Sequence, residues 1–192
     1  MSRQRDEGPD ARRRAHPGGL VPLVCASAAA LWLILDQATK VLAVQTLEAS
    51  GRVVDLGALD LRVIRNPGGA FGFPGFPGLF VIVTVLVLVL VVRALPSTDR
   101  LSLAVAYGLV TGGALGNVAD RLFRMPGFPS GHVVDFFDLR WWPVFNIADI
   151  GIVTGALSIA VLLTVSDRQA RASQRRQAAH RSVRPDTTTP RH

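Results

Sequence analysis

Four apolar runs divide this chain, at residues 19–35, 79–95, 101–118 and 147–165. Each is close to the roughly 17–25 residues that a helix needs to cross a bilayer. Run 79–95 is rich in Val and Leu, a composition that also suits a buried strand. Its length favours a helix, because buried strands usually run about 4–8 residues. The chain of 192 residues is 49% hydrophobic and 18% charged, with mean hydropathy +0.33, which is too apolar for an ordinary soluble domain. These features predict an all-α membrane protein with four transmembrane helices, in one domain over residues 19–166.

Charge gives the expected orientation. The net charge of +7 would point to nucleic acid if the basic residues lay on a folded face. Instead they crowd the ends: Arg3, Arg5, Arg12, Arg13 and Arg14 before the first run, and Arg168, Arg171, Arg175, Arg176, Arg181, Arg184 and Arg191 after the last. Arg93 and Arg100 fall in the short loop between the second and third runs. With four spans these three segments share one side, and the excess of positive charge places that side in the cytoplasm. Segments 1–18 and 167–192 are polar and lack apolar periodicity, so they are expected to be disordered basic tails. No nucleic-acid partner is implied. The first run has the Arg-rich start of a signal peptide, but Trp32 and Asp36-Gln37-Ala38-Thr39-Lys40 follow it without a small-x-small cleavage site, so a retained helix is expected. Cys25, the sole cysteine, falls mid-span as a small packed side chain.

Two outer loops follow from this topology, at residues 48–78 and 121–145. Within the first, segments 52–56 and 59–65 partly alternate apolar with polar around Gly57-Ala58, the pattern of a small antiparallel hairpin. The stretch Asn66-Pro67-Gly68-Gly69-Ala70-Phe71-Gly72 then has to turn. The second loop ends in Trp141-Trp142-Pro143, which marks a membrane interface. In the third run Gly108, Gly112 and Gly116 repeat every four residues, so one helix face can approach a neighbour closely. The expected effect is to bring the end of this helix against the one bearing Asp149.

Two aspartates then ask for a reason. Asp149 heads the fourth run and Asp135 lies in the loop leading into it. A carboxylate in a membrane segment costs roughly 2.5–3.5 kcal/mol on insertion scales. Paired carboxyls that share a proton can hydrolyse an amide without metal or a nucleophilic side chain. Other polar residues cluster at the same ends: Asp36 with Lys40, Asn66, Asn117 with Asp120 and Arg121, and Asn146 beside the acids. Asp36 and Lys40 are spaced i, i+4 with the acid first, which suits a helix ion pair and a site role equally. Asn117 and Arg121 have the same spacing, and Asn146 and Asp149 share a face if the helix begins by residue 145. Metal chemistry fits poorly, because His16, His180 and His192 lie in the tails and no Cys/His group or His-Glu-x-x-His motif occurs. Serine or cysteine catalysis lacks partners for the remaining His132 and for Cys25. Carboxylates remain.

Taken in order, Asp36-x-x-x-Lys40, Asn66-x-Gly68-x-Ala70-Phe71-Gly72, Gly112-Gly113-Ala114-x-Gly116-Asn117-x-x-Asp120-Arg121, Val133-Val134-Asp135-Phe136 and Phe145-Asn146-x-Ala148-Asp149 resemble the sequence blocks of bacterial lipoprotein signal peptidase, signal peptidase II. The likeness runs from about residue 23 to residue 165. Each block is short; five in order on four spans are specific. The resemblance implies a monomeric aspartic endopeptidase of the bacterial cytoplasmic membrane that needs no cofactor or metal. It implies removal of signal peptides from prolipoproteins just before a diacylglyceryl-modified cysteine, and inhibition by globomycin-type cyclic peptides. By motif position, Asp135 and Asp149 become the catalytic dyad. Asp36, Lys40, Asn66, Gly69, Ala70, Asn117, Asp120, Arg121, Asn146 and Ala148 become the residues that shape the site and contact substrate. The expected partners are lipidated prolipoproteins and membrane lipid, with both termini cytoplasmic and the active site near the outer leaflet. A proton-coupled carrier would bury its acids deeper in the spans, and a purely structural assembly protein would leave the two Asp motifs unexplained.

Overall fold

The computed structural model describes residues 19–68, 77–128 and 130–182. The described residues form four α-helices: α1 (Leu20–Ala43), α2 (Pro77–Ala94), α3 (Leu101–Phe123) and α4 (Ile147–Ser182). A π-helical turn, Val44–Glu48, extends α1, and a 3-10 turn, Leu95–Ser97, ends α2. Three of the helical segments, Leu20–Glu48, Leu101–Phe123 and Ile147–Gln177, are long and apolar enough to cross a membrane. The remaining apolar helix, counted from Val81 to Ser97, is shorter. The outside of the bundle is apolar, as lipid requires: Ile82, Leu86, Leu90 and Val92 on α2 are exposed, and so are Val153, Leu157 and Val161 on α4.

α3 is the hub. Half of its span is buried, against 22% for α1 and 17% for α4, because it packs on α1 and α4 and also meets α2. The glycines that permit this point in two directions. A Cβ on Gly108 would meet Ala28 Cβ at 2.6 Å, one on Gly112 would meet the Ala29 carbonyl at 2.5 Å, and one on Gly116 would strike the Asp36 carboxylate. Gly108 and Gly112 therefore face α1, a neighbour the spacing did not name, while at Gly116 a Cβ would also lie 3.5 Å from Ala148 Cβ, so only that end of the stripe meets α4 as expected. Gly113, turned about 100° from Gly112 on the helix, faces α4, where a Cβ would strike the Ala148 carbonyl and lie 3.0 Å from Ile152 Cγ1. On α4, Gly151 and Gly155 leave room in turn for the Trp32 indole and the Ala106 carbonyl.

Three short strands close one end of the bundle. β1 (Val54–Asp55), β2 (Asp60–Asn66) and β3 (Val133–Asp138) form an antiparallel sheet in that order. The first two are the hairpin read from the sequence, with Gly57 at φ 88° in its turn. The third comes from the second loop, so the β-element is not confined to the first. β3 shows no alternation because both of its faces are covered, and five of its six residues are buried. Along β2 the register slips between Leu61 and Ile64, so that Ile64 opposes Asp135 and Asn66 opposes Val133. Asn66 thereby becomes a diagonal neighbour of Asp135 on one face of the sheet.

Two helices outrun their apolar runs. α1 continues through Asp36 and Lys40, whose charges are buried against each other. α4 continues to Ser182, so residues 167–182, expected as a disordered tail, are helical. Segments 1–18 and 183–192 lie outside the described residues.

Replacing Gly113 by Ala should cost about 1–3 kcal/mol of stability, because the added methyl meets backbone rather than a movable side-chain tip. The same change at Gly19, the N-cap of α1 with nothing within 4 Å, should cost less, about 1 kcal/mol or under. Thermal unfolding of both variants in detergent compares them; equal midpoints would remove close α3–α4 packing as a constraint.

Candidate active site

Asn146 and Asp149 begin α4 as a reciprocal cap. The Asn146 side-chain oxygen accepts the Asp149 N–H at 3.1 Å, and the Asp149 carboxylate accepts the Asn146 N–H at 3.1 Å. This is the capping box, with Asn at the N-cap and an acid three residues on. The sequence pattern Asn-x-x-Asp ahead of an apolar run is its signature. The i, i+3 spacing was read only as a shared face. Since the Asn146 oxygen is committed to the cap, its amide nitrogen points the other way. It donates to Asp135 Oδ1 at 2.6 Å and to Asn117 Oδ1 at 3.1 Å. One asparagine thus touches both carboxylates.

Asp135 is 3% exposed and also accepts from Asn66 Nδ2 at 3.0 Å. Asn66 is fixed by its own Asx turn, in which its oxygen accepts the Gly68 N–H at 2.9 Å. Gly68 has φ 115°, and a Cβ there would lie 3.2 Å from the Arg121 guanidinium. Burial pushes the Asp135 carboxyl up to about 7, against the Asn66 amide, which favours the charged form, and with the Asp149 charge adding to the rise. A carboxylic acid protonated near neutral pH is therefore available beside a second acid.

Behind the two acids lies a buried ionic network. Lys40 Nζ reaches Asp36 Oδ2 at 2.8 Å, Asp120 Oδ2 at 2.9 Å and Asn117 Oδ1 at 3.0 Å. An ammonium only donates, so the oxygen of Asn117 must face Lys40, and its nitrogen then donates to Asp149 Oδ1 at 2.8 Å. The other oxygen of Asp36 accepts the Ala148 N–H in the first turn of α4 at 2.8 Å. Asp120 also accepts the Val134 N–H at 3.1 Å and an Arg124 contact at 2.5 Å, tying β3 to the end of α3. Asp36, Lys40, Asn146 and Ala148 expose none of their surface and Asp120 exposes 1%, so here they meet protein atoms.

Arg121 donates to the Gly131 carbonyl at 3.4 Å and, with Asn117, lines a cavity of about 130 Å³ between α2, α3 and α4. Val83, Val87 and Ile152 supply its apolar walls. Gly69 and Ala70, expected near the site, lie outside the described residues. Two participants went unread in the sequence. Gln37 donates to Asp36, to the Gly116 carbonyl and to Asp120, and Trp32 donates to the Ile147 carbonyl at 3.0 Å. Gln37 lies between the two residues of a recognised pair, which is a usable signal; Trp32 offers none. No group of three or more candidate metal ligands occurs among the described residues.

Fold and site together define an apolar-surfaced helical protein with two carboxylates, joined through one asparagine, at one end of its helices. Comparison with known proteins gives that class a family. The pattern described as Signal peptidase (SPase) II matches residues 28–165, and the chain belongs to that family of proteases. It is 47% identical over 135 residues to the lipoprotein signal peptidase of Rhodococcus jostii (strain RHA1), covering 69% of this chain and 68% of that one. It is 41% identical over 155 residues to the lipoprotein signal peptidase of Streptomyces griseus subsp. griseus, covering 80% and 79%. Its fold is similar to a bacterial membrane enzyme solved by the in meso method at 2.3 Å, with TM-score 0.62 and 29% identity over 74% of this chain and 88% of that one.

Substitution at Asn146 separates capping from bridging. Asn146→Ala should lose about 0.5–2 kcal/mol of stability with the cap. Asn146→Ser restores a capping oxygen but no amide donor for Asp135, so it should be more stable than the alanine variant while peptidase activity stays low in both. Thermal unfolding and turnover read the two effects. A serine variant of full activity would mean that the bridge to Asp135 is dispensable.

Proposed function

We propose that this chain is an aspartic endopeptidase that removes the signal peptide from diacylglyceryl-modified prolipoproteins, cutting just before the lipidated cysteine. The observation that carries the reading is the Asp135–Asn146–Asp149 bridge, which holds two carboxyls together where one keeps its proton near pH 7. Membership of the family supports it, as does the name lipoprotein signal peptidase borne by the relatives.

In the mechanism, the ionised carboxylate of the pair takes a proton from water as the water oxygen attacks the scissile carbonyl carbon. The protonated carboxyl hydrogen-bonds the carbonyl oxygen and stabilises the negative charge that builds on it. The tetrahedral intermediate then collapses. The C–N bond breaks, and a proton passes from the pair to the leaving amine. The products are a signal peptide ending in a carboxylate and a lipoprotein beginning with the lipidated cysteine. Acid and base are roles of the pair, because two carboxyls this closely linked titrate as a unit. Asn66, Asn117 and Arg121 contact the substrate backbone, while Asp36, Lys40, Asp120, Asn146 and Ala148 hold the two acids in place. By their place in the motif Gly69 and Ala70 contact the substrate, and the enzyme works as a monomer.

The same reading sets the topology: four spans in a domain of residues 19–166, basic ends in the cytoplasm, and the sheet and acid pair at the outer surface of the bacterial cytoplasmic membrane. Two acyl chains on the substrate cysteine fix the scissile bond at that depth, since each buried CH₂ contributes about 0.8 kcal/mol.

Asp135→Asn and Asp149→Asn should each lower the cleavage rate of a lipidated precursor by about 10²–10⁴-fold or more in the purified, reconstituted protein, because an amide is neither base nor strong acid. EDTA should change nothing. Near-normal cleavage by either variant would exclude that residue, and a loss with EDTA that zinc restores would exclude a two-carboxyl mechanism.

Topology is tested separately with tags at residues 1 and 192 and near Ser50. Both ends should be protected from an external label in intact cells, and the site near Ser50 should be reached. Labelling of either terminus from outside would invert the orientation and place the acid pair on the wrong surface.

A further inference from the structure

We infer that the bay beside Asp149 on the outer flank of α4 receives an acyl chain of the substrate's diacylglyceryl group. It is a hollow of about 370 Å³ walled by Leu139, Trp141, Trp142, Phe145, Ile150 and Val153. The inference rests on the proposed substrate and adds where its lipid goes.

Three observations select that occupant. The first is continuity. Asp149 forms part of the bay wall, and on a diacylglyceryl cysteine the acyl esters are only a short glycerol and thioether away from the bond to be cut. A chain leaving the acid pair on this flank enters the bay directly. The second is its chemistry. Apart from Asp149, the polar side-chain atoms of its lining residues are the Thr154 hydroxyl, already donated to the Ile150 carbonyl at 2.6 Å, and the indole nitrogens of Trp141 and Trp142, which donate but cannot accept. A peptide laid there would leave most of its backbone N–H and C=O groups without partners, whereas a hydrocarbon chain needs none. The third is the mouth. Trp141 is 77% exposed, Val153 56% and Trp142 51%, and Val153 continues the apolar exterior of α4 formed by Leu157 and Val161. The bay therefore opens sideways along the lipid-facing surface, where an acyl chain already lies.

The peptide then has the other flank. The smaller cavity lined by Asn117 and Arg121 lies between α2, α3 and α4 and carries an amide and a guanidinium side chain on its wall. The substrate is thus polarised across the acid pair, lipid toward Trp142 and Val153, signal peptide toward Asn117 and Arg121.

The test uses the full-length protein in liposomes and one precursor peptide made with either dipalmitoyl or dihexanoyl glycerol on its cysteine. Val153→Trp fills the bay from an exposed position. It should raise KM for the dipalmitoyl substrate by about tenfold, the effect of excluding about two methylenes, with kcat little changed. The dihexanoyl substrate should shift by no more than about twofold, and Leu163→Trp, a bulky change elsewhere on the exposed surface of α4, should move neither. Equal shifts for both substrates, or none for either, would overturn the assignment. Should Val153→Trp fail to fold, a diazirine at the end of the acyl chain, bound to Asp135→Asn, should cross-link to residues 139–154; cross-links confined to α2 would overturn it. Failure of the wild-type protein to cleave either lipidated peptide would instead remove the proposed activity itself.

Discussion

The end of the bundle that carries the sheet depends on one buried ammonium. Lys40 exposes no surface, and its three contacts are with acceptors on α1 and α3: Asp36, Asp120 and Asn117. Taking a lysine out of water costs several kcal/mol, and that cost is offset only where the geometry is good and every proton finds a partner. Here every one of them does. Each partner then carries the constraint onward: Asp36 to the first turn of α4 through Ala148, Asp120 to β3 through Val134, and Asn117 to Asp149. Four elements, α1, α3, β3 and α4, are fastened around a single charge, and the amide orientations follow from its having only donors to offer.

That fastening explains how two carboxyls can be kept close to one another without being neutralised. Neither Asp135 nor Asp149 pairs with Lys40; both accept from amides instead. Amides orient a carboxylate without adding a formal charge, so the tendency of a buried acid to keep its proton survives at Asp135. A direct lysine or arginine partner would instead favour the ionised form of Asp135. The helix cap adds rigidity at no extra cost in parts, since the box that starts α4 is also the link between the acids. Close helix packing at Gly113 and Gly116 brings Asn117 within reach of that cap.

Much of this was legible in the chain. Apolar length announced the helices, and the order of short polar motifs announced the family. The misread parts have physical causes. β3 was missed because it is covered on both faces, which erases the alternation by which a half-wet strand is recognised. Most of the glycine stripe meets α1 and only its Gly116 end meets α4, since a repeat of four defines a face but does not name what lies against it. The site residues were legible by type, whereas the relay from Lys40 through Asn117 to Asp149 required knowing that α1 and α3 touch. Burial then distinguishes Asp36, Lys40 and Asp120, which hold other groups, from Asn66, which stands partly open beside Asp135.

The central claim is that the pair carries one proton at working pH. Infrared difference spectroscopy of the full-length protein, with Asp carboxyls isotopically labelled, reads this directly from the protonated carboxyl stretch. Burial raises Asp135 from an ordinary 3.8 to about 7, so its proton should persist well above the usual carboxylate range and leave as pH rises through about 7. At pH 6 the spectrum should therefore show a protonated carboxyl band that Asp135→Asn abolishes, fading toward pH 8. A pair already fully ionised at pH 5, with no band that depends on Asp135, would contradict the account.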